Sequence, residues 1–175
     1  YLVDGAVYTL RLEAGTATTQ ITNLRYDISP PVMSLVSPST NGYGRETIPV
    51  RYQASEPLAE NSLQLMFQRG TEVHTVTTLL LSQQGIMYIN GSNLNNDGDT
   101  LINGATYTVC LMASDMAGNR AAPVFAANWM YDTSICTPTL LLSDGAAYTN
   151  SSIVTVKAAG DRDVAKWLIS ETQKI

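Results

Sequence analysis

Oxygen-bearing side chains recur at alternate positions around a glycine in Asn93-Leu94-Asn95-Asn96-Asp97-Gly98-Asp99-Thr100. Hard oxygen ligands spaced in this way, with a glycine at the sharp bend, are what a Ca²⁺ loop requires. Asn93, Asn95, Asp97 and Asp99 are the ligands this pattern names. The pattern departs from an EF-hand loop twice: its first position is Asn93, and Gly104 stands where a bidentate Glu belongs. So few formal charges imply weak binding, of the kind extracellular modules use where Ca²⁺ is abundant. The same residues also make an Asx-rich turn with no ion at all, because Asn, Asp and Gly favour turns by themselves. A second polar stretch, Asp115-Met116-Ala117-Gly118-Asn119, reads as a turn in which Gly118 takes a positive φ and Asp115 accepts a backbone N–H.

Other chemistry is sparse. The chain has 2 Cys and 1 His, which cannot assemble a four-ligand Zn site and leave little for a paired nucleophile and base. His74 lies in the alternating run Thr71 to Thr77, and the expectation is a solvent-facing strand position with no catalytic role. Cys110 and Cys136 either form one disulfide in an oxidising compartment or remain separate thiols. The chain reads as non-enzymatic, with no cofactor beyond a possible Ca²⁺. Asn90-Gly91-Ser92 and Asn150-Ser151-Ser152 are glycosylation sequons.

Composition excludes further classes. Charged residues make up 14% of the 175 positions, and the net charge is −5. Ten scattered Lys and Arg residues cannot form the basic face that a nucleic-acid binder needs, and they disfavour anionic membranes. No apolar run is long enough to insert in a bilayer, and no signal peptide stands at the start. A chain opening at Tyr1 inside a β-like pattern reads as a segment of something longer.

The elements that must position these residues repeat along the chain. Leu2-Val3-Asp4-Gly5-Ala6-Val7-Tyr8-Thr9-Leu10-Arg11-Leu12 returns as Leu101-Ile102-Asn103-Gly104-Ala105-Thr106-Tyr107-Thr108-Val109-Cys110-Leu111. Tyr26-Asp27-Ile28-Ser29 returns as Tyr131-Asp132-Thr133-Ser134. The period of about 100 residues is that of one β-sandwich, too long for a solenoid repeat. The expectation is residues 1–27 as the end of one domain, 28–132 as a complete one, and 133–175 as the start of a third. Strands are predicted over residues 32–36, 46–54, 63–68, 71–81, 86–90, 106–113 and 124–131. Pro49 argues that the second of these is an edge strand or carries a bulge. Period-two alternation turns Tyr107, Val109, Leu111 and Ala113 to the core and Thr108, Cys110 and Met112 outward. Arg11 and Glu13 fix the same register in the earlier copy, because an inward Arg would be costly.

Leu101-x-x-Gly104-x-x-Tyr107, the turn Asp115-x-Ala117-Gly118-Asn119 and the junction Tyr131-Asp132-Thr133-Ser134 with Pro138 together resemble bacterial immunoglobulin-like repeats of large secreted and cell-surface proteins. The resemblance covers nearly the whole chain. The first copy departs from it, with Glu13-Ala14-Gly15-Thr16 in place of the Asp-x-Ala-Gly-Asn turn. The resemblance implies an all-β fold: an Ig-like antiparallel β-sandwich in tandem repeats. The Tyr107 hydroxyl would be a corner bonded back to upstream backbone. It implies a second Ca²⁺ set at a domain junction, Asp115 and Asn119 with Asp132 from the linker. Surface Ig domains of this kind often carry a Lys–Asn crosslink, yet Lys occurs only at 157, 166 and 174, so residues 28–132 cannot make one internally. Trp129 and Trp167 are expected in cores rather than at sugar sites. The function implied is a structural stalk in a long extracellular or bacterial cell-surface adhesin. Its partners would be neighbouring repeats, identical chains, or a host or cell-surface protein or glycan. Two rivals are a filament subunit completed by strand addition and an accessory module of a large secreted enzyme.

Overall fold

The computed structural model describes residues 1–78, 84–95, 98–134, 137–160, 166, 168 and 170. Among them regular structure is strand, apart from one 3-10 turn at Ser143–Gly145, and no helix is long and apolar enough to cross a membrane. The chain forms two compact units, Tyr1–Thr133 and Ser134–Ile175.

The first unit opens with an antiparallel hairpin of β1 (Val7–Ala14) and β2 (Ala17–Arg25). There follow β3 (Met33–Ser37), β4 (Tyr43–Gly44), β5 (Thr47–Ala54), β6 (Leu63–Arg69), β7 (Glu72–Thr78), β8 (Gln84–Asn90), β9 (Ala105–Met112) and β10 (Val124–Tyr131). One sheet has the order β3-β5-β8, the other β4-β10-β9-β6-β7. All pairings in these two sheets are antiparallel except β4 with β10. Ile48, Val50 and Tyr52 of the smaller sheet and Leu65, Phe67, Val109, Leu111 and Trp129 of the larger share one buried cluster. The fold is therefore all-β, with several antiparallel sheets, consistent with a β-sandwich.

The alternation in β9 holds as expected. Tyr107, Val109, Leu111 and Ala113 are all buried in the core, each large side chain contributing about 2 kcal/mol by leaving water. Trp129 lies against Phe67 at a centroid distance of 5.5 Å. β4 can run beside the indole because residue 44 is glycine: a Cβ there would come within 1.9 Å of Trp129 Cζ2.

Three expectations change. Pro49 is in the central strand of its sheet, since β5 pairs with both β3 and β8, and the bulge expected as the alternative to an edge lies in the β3–β5 ladder between Leu35 and Ser37. It is tolerated because β3 ends at Ser37, opposite Arg51. Beyond that point the β3 side of β5 is locally an edge, where Ser37 Oγ donates to the Pro49 carbonyl at 2.7 Å. His74 is not on the solvent face but buried. In β7 it is Val73, Thr75 and Thr77 that face out. Two partly exposed carboxylates satisfy its nitrogens, Glu72 Oε1 at 3.1 Å and Asp99 Oδ1 at 2.7 Å. Cys110 does occupy the outward face of β9, yet it is buried. Its cross-strand neighbours Met66 and Phe125 flank the small thiol. Burial pushes its pKa up; Cys136 lies outside the described residues.

The β1–β2 hairpin reproduces β9–β10 bond for bond. Val3 N–H donates to the Tyr8 hydroxyl at 2.7 Å, and Ile102 N–H to the Tyr107 hydroxyl at 2.9 Å. Gly5 N–H reaches Tyr26 O, and Gly104 N–H reaches Tyr131 O, both at 2.8 Å. Ile28 N–H is held by Asp4 Oδ1 at 2.9 Å, and Thr133 N–H by Asn103 Oδ1 at 2.7 Å. Each hairpin carries a bulge in which an Asn adopts a positive φ, Asn23 at 60° and Asn128 at 55°.

In the second unit β11 (Thr139–Leu142) pairs antiparallel with β12 (Val156–Ala159). The run Tyr148–Val156 is strand only at Val156. Its partner β11 has four residues, and among the described residues no third strand joins the sheet, so the ladder stops where β11 stops. Trp167 lies outside the described residues.

Candidate functional site

The turn after β9 is built around Asp115. Its Oδ1 accepts the backbone N–H groups of Ala117 and Asn119, both at 2.8 Å, and its Oδ2 accepts Asn119 Nδ2 at 2.8 Å. Gly118, at φ 92°, closes the loop, as a side chain there would be strained. Burial alone would raise the Asp115 pKa. The hydrogen bonds from Asn119, Ala117 and Gly118 outweigh it and hold the carboxyl below the usual aspartate range.

This turn meets the end of the β1–β2 hairpin. Asn119 Nδ2 also donates to the Asp27 carbonyl at 3.0 Å. Asp27 forms an ion pair with Arg25 at 3.2 Å, and its carboxylate oxygen accepts Ser29 N–H at 3.2 Å. Asp4 ties the following residues to the hairpin, accepting Ile28 N–H and, at 2.5 Å, Ser29 Oγ. Those bonds, Ser29 foremost, lower the Asp4 pKa. Glu56, from the segment between β5 and β6, completes the group: carboxylate oxygens of Asp27, Glu56 and Asp115 lie within 4.8 Å of one another. Glu56 has a raised pKa, first from burial and then from the charges of Asp27 and Asp115. The three carboxylates open into a cavity of about 260 Å³, with Arg25, Pro57 and Met116 on its wall. Three converging carboxylates can hold a hard cation through oxygen, though Ca²⁺ takes six to eight ligands and water would supply the rest.

The named residues are therefore distributed over separate places. Asp115 and Asn119 are brought together. The linker acid beside them is Asp27, the residue that Asp132 repeats in the sequence. Asp132 itself follows Tyr131, which pairs with Ala105 at the far end of β9. Seven strand residues, about 23 Å, separate that end from the Asp115 turn. Glu56 was missed by the sequence reading: nothing in Ser55-Glu56-Pro57 marks a site, and only the fold brings it to residues 29 and 59 positions away in sequence.

In the other loop the described side chains Asn93, Asn95 and Asp99 each make a hydrogen bond. Asn93 Oδ1 accepts Gly98 N–H at 3.2 Å, Asn95 Nδ2 donates to Thr75 O at 2.9 Å, and Asp99 Oδ1 faces His74 Nδ1. These bonds close the turn and fasten it to β7. Asp97 lies outside the described residues. No family model matches this sequence, and no curated protein matches it.

Proposed function

We propose that the chain is a non-enzymatic stalk segment of a long extracellular or cell-surface adhesin-like protein, built from Ig-like domains repeated about every 100 residues. The observation that carries the reading is the hairpin Val7–Arg25, which repeats the bonds of β9–β10 and is fastened to the next sandwich by Asp4, Asp27 and Asn119. A junction built of hydrogen bonds and half-buried carboxylates limits bending between successive units, which a projecting rod needs. Strand order supports the Ig-like part: β10-β9-β6 and β3-β5-β8 correspond to strands G-F-C and A-B-E. Low charge and few Lys suit an exposed, secreted surface. The Ca²⁺ assigned to Asp115 and Asn119 belongs to this proposal, with Asp27 and Glu56 as the accompanying oxygens. Its role is to neutralise the junction and stiffen it.

Immunogold labelling of intact source cells, with antibodies raised against the folded chain, tests the stalk. The expected result is label outside the cell envelope, at a distance from it. Label confined to the cell interior overturns the reading. Melting with Ca²⁺ and with chelator tests the ion, and identical midpoints remove it.

A further inference from the structure

Among the described residues the two sheets of the sandwich have four edge strands, β3, β8, β4 and β7. An exposed edge is a template for further pairing, and folded proteins guard it with charges, prolines, bulges, short strands or covering loops. Three of the four edges are guarded. β3 stands between Pro30-Pro31 and Pro38 and carries the bulge between Leu35 and Ser37. β4 has two residues. β7 opens on the ion-paired Glu72, and Asn95 Nδ2 takes its Thr75 carbonyl at 2.9 Å. β8 has no such guard. Its seven residues, Gln84-Gly85-Ile86-Met87-Tyr88-Ile89-Asn90, include no charge and no proline, and their register with β5 is unbroken. Pairing with β5 identifies its free side. Pro49, opposite Tyr88, turns its carbonyl toward β3, and Gly91 N–H donates to Glu46 O at 2.7 Å. Bonded and non-bonded pairs alternate along an antiparallel ladder. Met87 and Ile89 therefore face β5, while Ile86 and Tyr88 point their N–H and C=O groups away from it. The side chains of Ile86 and Tyr88 are 43% and 66% exposed.

We propose that β8 pairs antiparallel with β8 of a second copy of this chain, about a two-fold axis at Met87. That axis sets Ile86 of each copy opposite Tyr88 of the other, and the two pairs exchange four N–H···O=C bonds. The Asn90 carbonyl already accepts Asn93 N–H at 3.1 Å, so the ladder ends there. The occupant is a second copy because the row is its own complement. In this register each outward donor meets an outward acceptor, each exposed aliphatic side chain meets an exposed aromatic one, and no charge opposes another. Aromatic and β-branched residues directly opposite each other stabilise a sheet. The contact is isologous, since both copies offer the same strand, so it closes at a dimer. It is independent of the function proposed above.

Analytical ultracentrifugation of the full 175-residue chain over a wide concentration range provides the test. A reversible monomer–dimer equilibrium is expected, with nothing larger. Ile86→Glu or Tyr88→Lys alone puts a charge into both symmetry-related pairs and should weaken the dimer by at least about tenfold. Mixed in equal amounts, the two variants should dimerise again. The new acid of one chain then stands opposite the new base of the other, and the remaining pair is the native one. Near-ultraviolet dichroism equal to that of the wild type shows that the core of each variant is intact. In hydrogen exchange the Ile86 and Tyr88 amides should be protected in the dimer and exchange freely in the monomer. A wild-type chain that is monomeric throughout overturns the proposal, as does association beyond a dimer. A dimer that either variant leaves unchanged overturns it, and so does a mixture no tighter than its parents. Ile86 and Tyr88 amides protected in the monomer also overturn it, because the edge is then covered within one chain.

Discussion

Asp115 shows how one side chain can organise both a turn and a junction. It accepts two backbone N–H groups and the Asn119 amide, so Asp115→Ala undoes the turn's internal bonds and should cost about 1–2 kcal/mol in urea unfolding. The pH dependence has two signs. Asp115 and Asp4 have lowered folded pKa values. Their stabilisation is complete above the ordinary aspartate range and is lost as pH falls through the depressed values. Glu56 is raised, so the folded state holds its proton longer than the unfolded chain. Its ionisation therefore removes stability as pH rises from the ordinary glutamate range through the folded value. Glu56→Gln should raise the melting temperature at neutral pH in chelator and reduce any shift produced by Ca²⁺. A melting temperature lowered by that substitution would contradict the repulsion described here.

Elements explain why equal substitutions have unequal effects. Tyr8 and Tyr107 make the same corner bond, but Tyr107 is buried and Tyr8 half-buried. Tyr107→Phe leaves the Ile102 N–H without its acceptor and should cost about 1–2 kcal/mol. Tyr8→Phe, nearer water, should cost clearly less in the same denaturant titration. Gly44→Ala is the sharper test of packing: its Cβ would collide with the Trp129 ring, which must move or push β4 off β10. A loss of about 3 kcal/mol with altered tryptophan fluorescence is expected. Both hairpins were legible as copies because a repeat and a period-two alternation are properties of neighbouring residues. The place of Pro49 was not, because a central strand can have an edge only where its neighbour stops, and the end of β3 is a fact about another segment.

For the molecule as a whole, the core cluster runs from Met33 to Tyr131, inside the span marked out as one complete domain. Residues 28–133 expressed alone should fold with the same near-ultraviolet dichroism as the full chain. The fragment should lose any response to Ca²⁺, since Asp27 is absent from it. A fragment that fails to fold would show that the hairpin contributes more than a junction. Sequence alone determined what depends on short-range pattern: an all-β chain, the inward set of β9, the Asp115–Asn119 turn and the matching of Leu2–Leu12 and Tyr26–Ser29 to Leu101–Leu111 and Tyr131–Ser134. Tertiary structure decided what depends on distant segments meeting. It set Asp27 and Glu56 beside Asp115, turned His74 inward between two carboxylates, and shielded the outward Cys110 between Met66 and Phe125. Alternation says which residues share a face, but the cost of burying a charge or a polar ring depends on partners supplied from elsewhere in the chain. Those partners are fixed only when the sheets pair and pack.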